Sequence, residues 1–184
     1  MTMKKYILPL VFGGVLLVAL TSAFRTPERV VPPATDTIEW ITWSEAMRRM
    51  DTAPKKIFID VYTDWCGWCK KMDAATFLDP GVVAVMNEHF YAVKLDAEQK
   101  EDILFDNHTF KYIADAGRRG VHELAYALLD GQMSYPSFVY LDAAKQRISI
   151  SPGYKDESMM QVELRFIGGE HFKTQTFEDF KAKQ

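Results

Sequence analysis

The stretch VYTDWCGWCKKM, Val61 to Met72, holds both cysteines of a 184-residue chain, each preceded by a tryptophan and parted by Gly67 and Trp68. The run that leads into it, IFIDVY (57–62), is β-branched and aromatic, the composition of a buried strand. From Cys66 onward, Cys69, Met72 and Thr76 recur at the spacing of one helix face. The cysteines therefore stand where a strand hands over to a helix. At such a junction the first sulfur meets unpaired N–H groups and the positive end of the helix dipole. Together these favour thiolate over thiol by up to about 2 kcal/mol.

Four readings of the pair compete. A structural zinc site needs four ligands, usually from two such pairs or from closely spaced histidines. His89, His108, His122 and His171 are scattered, so no metal ligand is assigned and no cofactor is expected. Haem attachment needs a histidine after the second cysteine, where Lys70 stands. A purely structural crosslink over so short a loop removes little unfolded-state entropy. A redox dithiol remains, with Cys66, nearer the solvent, attacking a disulfide and Cys69, one turn inside, resolving the mixed disulfide. Trp65 and Trp68 are expected to form an apolar rim around the thiols. His89, at a helix end, and His122, at a helix start, are expected to be capping or solvated residues.

Working outward, WSEAMRRM (43–50) is expected as a short helix capped by Ser44. Helix VVAVMNEHF (82–90) and strand YAVKLDA (91–97) follow, with Tyr91, Val93 and Leu95 on one face, so that strand, helix and strand imply parallel pairing by a right-handed crossover. TFKYIA (109–114) is ambiguous between strand and helical turn, GRRG (117–120) is a turn placed to contact partners, and HELAYALL (122–129) is helical. PSFVYLD (136–142) and RISIS (147–151) form a hairpin, and MMQVELRFI and FEDFKAK close the chain as helices. Asp60 lies on the same strand face as Phe58, which with Tyr62 and Phe138 is assigned to the core. A carboxylate there has its charge disfavoured by burial. Tyr135–Pro136 is the best candidate for a cis bond, which X-Pro peptides adopt most cheaply.

At the amino end, Lys4 and Lys5 precede an apolar run from Ile7 to Leu20 and the small residues Thr21, Ser22 and Ala23, the pattern of an export signal. The run is shorter than the ~20 residues of a spanning helix. Residues 1–23 are thus expected as a signal peptide, or as an N-terminal anchor if uncleaved. The proline-rich 24–37 is expected as a linker and 38–184 as the folded domain. With 48% hydrophobic residues the chain has the means for a real core, and a net charge of −3 with no internal basic run excludes a nucleic-acid footprint.

IFIDVYTDWCGWCK resembles the strand and active-site segment of the thioredoxins, with Asp60 at the family's buried acid, Lys94 at its lysine and Tyr135–Pro136 at its cis-proline loop. DVYTDWCGWCKKMDAATFLDPGVV is similar to the C-terminal periplasmic domain of the membrane reductase DsbD and to related exported thioredoxin-like proteins. The sequence departs from the thioredoxin pattern at Gly67–Trp68, where the family has Gly-Pro, and over residues 98–130, an insertion before the cis-proline strand. The resemblance implies an α/β thioredoxin-like fold, a central mixed sheet flanked by helices. It implies a periplasmic thiol-disulfide oxidoreductase working as a reductant, with Cys66, Cys69, Asp60 and Lys94 catalytic and Trp65, Trp68, Tyr135 and Pro136 contacting substrate. Its partners would be disulfide-containing client proteins and a membrane or periplasmic electron donor. A client-holding module without redox turnover, and Cu(I) delivery through the same pair, are the alternatives.

Overall fold

In the computed structural model, which describes residues 36–184, regular structure begins with β1 (Trp40–Ile41) and α1 (Trp43–Met50). The expected signal segment and most of the expected linker lie outside the described residues. Thr42, not Ser44, caps α1: its hydroxyl accepts the Glu45 amide at 3.2 Å, and Ser44 sits one residue inside the helix, bonded to Thr42. Strand β2 (Lys56–Tyr62) leads into α2 (Gly67–Ala74). Thr76 falls beyond α2, in a 3-10 turn (Thr76–Leu78), where its buried hydroxyl donates to the Lys155 carbonyl at 2.8 Å instead of extending the helix face. Asp79 then caps α3 (Pro80–His89), whose Pro80 stands at the first helical position, where a missing N–H does no harm. Strand β3 (Phe90–Asp96) returns parallel to β2, with Asp60 opposite Lys94.

Residues 98–130 hold two small antiparallel pairs and a helix. They are β4 (Ile103–Phe105) with β5 (His108–Phe110), β6 (Tyr112–Ile113) with β7 (Val121–His122), and α4 (Glu123–Leu128). TFKYIA is therefore strand, shared between β5 and β6. The hairpin β8 (Ser137–Leu141) and β9 (Arg147–Pro152) follows, then α5 (Glu157–Gly168) and α6 (Phe177–Lys181). The main sheet is mixed, in the order β1-β3-β2-β8-β9, with β8 antiparallel to β2. Among the described residues no helix is long and apolar enough to cross a membrane.

Side-chain alternation along β2 divides the interior into two layers. Phe58 points to the side covered by α2, α3 and α5, among Met72, Phe77, Met86, Phe138 and Leu164. Ile57, Ile59 and Val61 point to the side covered by α1 and α4, among Trp43, Ala46, Leu124 and Leu128. Each such side chain, fully buried, contributes roughly 1.5–3 kcal/mol. With a core on both faces, β2 is held rigidly, and its carboxyl end aims the residues that follow.

Candidate active site

Cys66 is the residue at which β2 becomes α2. Its backbone is extended (φ −73°, ψ 103°), and its sulfur accepts the Cys69 amide at 3.1 Å, so a sulfur occupies the cap position that an oxygen usually fills. The first turn of α2 carries no acid, leaving the dipole free to act on that sulfur. Cys66 and Cys69 are joined as a disulfide. The two are almost equally covered, 4% and 3% exposed. Cys66, expected nearer the solvent, is so by only this narrow margin. What separates the cysteines is position on the helix: Cys66 receives an amide hydrogen bond, whereas Cys69 faces the core side of α2 with Met72.

Tyr135–Pro136 is a cis peptide. The loop lies beside the cysteines, because the Tyr135 ring meets Trp65 edge-on at 5.7 Å and the Pro136 carbonyl accepts the Gly153 amide at 2.8 Å. Next to Gly153, Tyr154 packs against Trp68 with ring centroids 5.0 Å apart, and the Lys71 ammonium sits over both rings. Trp65 (52% exposed) and Trp68 (55%) therefore form two exposed aromatic flanks, each braced by a tyrosine. The Trp65 indole donates to the Glu98 carboxylate at 2.8 Å, and the Arg119 guanidinium stands over its ring. The Tyr135 amide and carbonyl make no hydrogen bond among the described residues.

Behind the disulfide on β2, Asp60 is 1% exposed. Burial pushes its pKa up to about 6, against the pull of Lys94, whose ammonium lies 3.0 Å from Asp60 Oδ2. The other carboxylate oxygen, Oδ1, has no partner among the described residues. Lys94 also bonds Asp73 of α2. Burial works against the lysine's charge, but the two carboxylates outweigh it and raise its pKa. Lys94 is thus held between a buried acid and an exposed one, its ammonium near the rings of Tyr62 and Trp40. Tyr62 itself is only half-buried, a correction to its core assignment: as the last residue of β2 it lies where the sheet opens toward this lysine.

Trp65 and Trp68, beside the two cysteines, contact Tyr135 of the cis-proline loop and Tyr154, while Asp60 and Lys94 join α2 through Asp73. Asp73, Lys71, Glu98 and Tyr154 complete the site and were not expected from sequence, whereas Arg119 joins it from the GRRG turn expected to contact partners. Asp73 had a trace, its place four residues after Cys69 on the same helix. Nothing local pointed to Glu98 or Tyr154. His122 is completely buried: it caps α4 by accepting the Leu124 amide on Nδ1 at 3.2 Å, and its Nε2 lies 3.1 Å from the Glu101 carbonyl.

The sequence model of the Thioredox_DsbH family, described as "Protein of unknown function, DUF255", matches residues 28–160. Among curated relatives, an uncharacterised protein of Caenorhabditis elegans is 31% identical over 71 residues, 38% of this chain and 10% of the relative. The match covers about a tenth of the length of such relatives. Of solved structures, a thioredoxin-fold protein from Helicobacter pylori is similar with a TM-score of 0.52 at 20% identity, over 80% of this chain and 87% of that one. A structure titled DsbH Oxidoreductase is similar with a TM-score of 0.52 at 16% identity, over 82% of this chain and 94% of that one. These likenesses are of fold, and the fold is thioredoxin-like.

Proposed function

The chain belongs to the Thioredox_DsbH family of thioredoxin-like proteins, and from that premise we propose that it is an exported thiol-disulfide oxidoreductase that reduces disulfides in periplasmic client proteins. The observation that carries this reading is the placement of Cys66 Sγ as the cap of α2, accepting the Cys69 amide beside a cis-proline loop with an unpaired backbone. In the reduced protein that amide and the helix dipole stabilise the Cys66 thiolate. The thiolate attacks one sulfur of a client disulfide, forming a mixed disulfide and releasing the other client sulfur as a thiolate. The client backbone pairs with the Tyr135 amide and carbonyl as an added strand, while the aromatic flanks supply contact area.

Resolution comes from Cys69. The Asp60 carboxylate takes the Cys69 proton, directly or through water, and the resulting thiolate attacks Cys66 Sγ. The second client thiolate leaves and two electrons have passed to the client. The protein is left with the Cys66–Cys69 disulfide, and a dithiol electron donor in the membrane or periplasm restores it. Lys94 sets the charge balance of Asp60 between turnovers.

Insulin reduction in the presence of dithiothreitol tests the proposal. Precipitation of the insulin B chain faster than with dithiothreitol alone is expected, with the gain abolished by Cys66→Ser. A client-holding module would give no acceleration and would bind clients equally well without either thiol.

A further inference from the structure

Trp65, the residue before Cys66, lines a cleft of about 480 Å³ together with Tyr135, Tyr126 and the turn 117–120. We infer that this cleft receives an acidic side chain of an extended client segment close to the client's disulfide cysteine, with Arg118 and Arg119 as the residues that select it. The inference rests on the redox reading above and names the client chemistry that the same site prefers.

Three observations converge on it. The first is charge. Arg118 and Arg119 line the cleft, and neither guanidinium has a carboxylate partner among the described residues. Glu98 is the one carboxylate in the lining, and one of its oxygens already accepts the Trp65 indole. An anionic group entering the cleft would find two guanidinium forks without a carboxylate partner, that of Arg119 stacked over Trp65, and such forks match a carboxylate in shape as well as charge.

The second is preorganisation. The two arginines sit at the tip of the β6–β7 hairpin, not on a loose loop. Gly117 (φ +69°) and Gly120 (φ +76°) take left-handed backbone at either end of the turn, and the Tyr112 hydroxyl holds the Arg119 carbonyl between them. At the hairpin's base, the His122 amide bonds the Ala97 carbonyl at 2.7 Å, and Lys111 and Glu123 exchange hydrogen bonds, which ties the hairpin to the end of β3 and to α4. The backbone that carries the two arginines is therefore ordered before binding, and only their side chains remain to be fixed.

The third is position. Trp65 precedes Cys66 and Tyr135 precedes Pro136, so a client strand lying along the unpaired Tyr135 backbone passes the mouth of the cleft as its cysteine reaches Cys66. The residue that enters lies one or two places from that cysteine, given the ~3.3 Å rise of an extended chain.

The test uses the full chain and peptides with serine in place of the cysteine, which separates binding from thiol chemistry. Glu, Gln or Lys is placed one or two residues on either side of that serine, and binding to the oxidised protein is measured by calorimetry at low and at physiological salt. At one position the Glu peptide should bind about tenfold more tightly than the Lys peptide, and added salt should shrink the difference. Arg118→Ala/Arg119→Ala should erase the preference, and Arg118→Lys/Arg119→Lys should restore part of it, with circular dichroism checking the fold of each. Equal affinities for Glu, Gln and Lys at every position would overturn the inference, as would a preference that survives the double alanine substitution. Reaction of the reduced parent protein with neutral 2-hydroxyethyl disulfide tests the redox reading separately. A Glu preference in a protein inert toward that disulfide would leave the cleft's selectivity standing and defeat the redox reading alone.

Discussion

Asp60 lies between Ile59 and Val61, both fully buried, on a strand covered from both sides. Its carboxylate forgoes water in exchange for one ammonium, and burial wins, so its pKa stands at about 6 against an ordinary 3.8. The sign of the consequence follows by linkage. A group whose folded-state pKa is raised contributes stability that is fully present below its unfolded pKa of 3.8 and is lost as pH rises through about 6. For a group this deeply buried the difference amounts to about 3 kcal/mol at roughly 1.4 kcal/mol per pH unit. Asp60→Asn should therefore stabilise the protein above pH 6 and flatten its pH dependence between pH 4 and 7, as read from urea midpoints. The same substitution should remove an ionisation near pH 6 from the rate of client reduction. A variant with the parent's pH profile in both measurements would show that Asp60 does not titrate where burial places it. The Asp60 and Lys94 pairing was legible through the resemblance to the thioredoxins, and the parallel register of β2 and β3 sets the two opposite each other. Asp73, the third member, was not, because an exposed acid on a helix looks the same whether or not a lysine from another strand reaches it.

The elements were readable where local composition and tertiary burial agree. In β2, α3, β3 and the β8–β9 hairpin, apolar periodicity and turn residues point to one answer, and each was found where expected. They diverge at α1. Ser44 and Thr42 are both competent caps, and the choice falls to Thr42 because Trp43, which must be the first helical residue, turns its ring into the core beside Phe105. Thr42→Ala should accordingly cost about 1 kcal/mol, while Ser44→Ala should change stability by only a few tenths, as measured by chemical denaturation. Equal effects would return the cap to Ser44. The segment 98–130 resisted reading for another reason. Its strands are two or three residues long and pair only with each other, so they leave too few alternations to register as a period. Much of what fixes the segment is a buried histidine that caps a helix and a tyrosine that holds a turn, contacts that become visible only in three dimensions.

At the scale of the whole molecule, a rigid two-layered sheet presents one helix start, flanked by two aromatic pairs and backed by one buried acid. The amino-terminal segment is expected to bring this domain to an oxidising compartment and be removed there. N-terminal sequencing of the protein recovered from exporting cells should begin near Phe24, and an intact Met1 in the membrane fraction would mean an anchor instead. The proposed chemistry needs one asymmetry, that Cys66 attacks and Cys69 resolves, although the two residues are almost equally covered. Trapping measures it most directly. Cys66→Ser and Cys69→Ser proteins are produced with the full export segment, thiols are blocked in the intact cells, and protein-linked disulfide adducts are resolved without reductant. Cys69→Ser should accumulate mixed disulfides with client proteins through Cys66, and Cys66→Ser should accumulate none. Adducts that form through Cys69 when Cys66 is absent, or in neither variant, would contradict it.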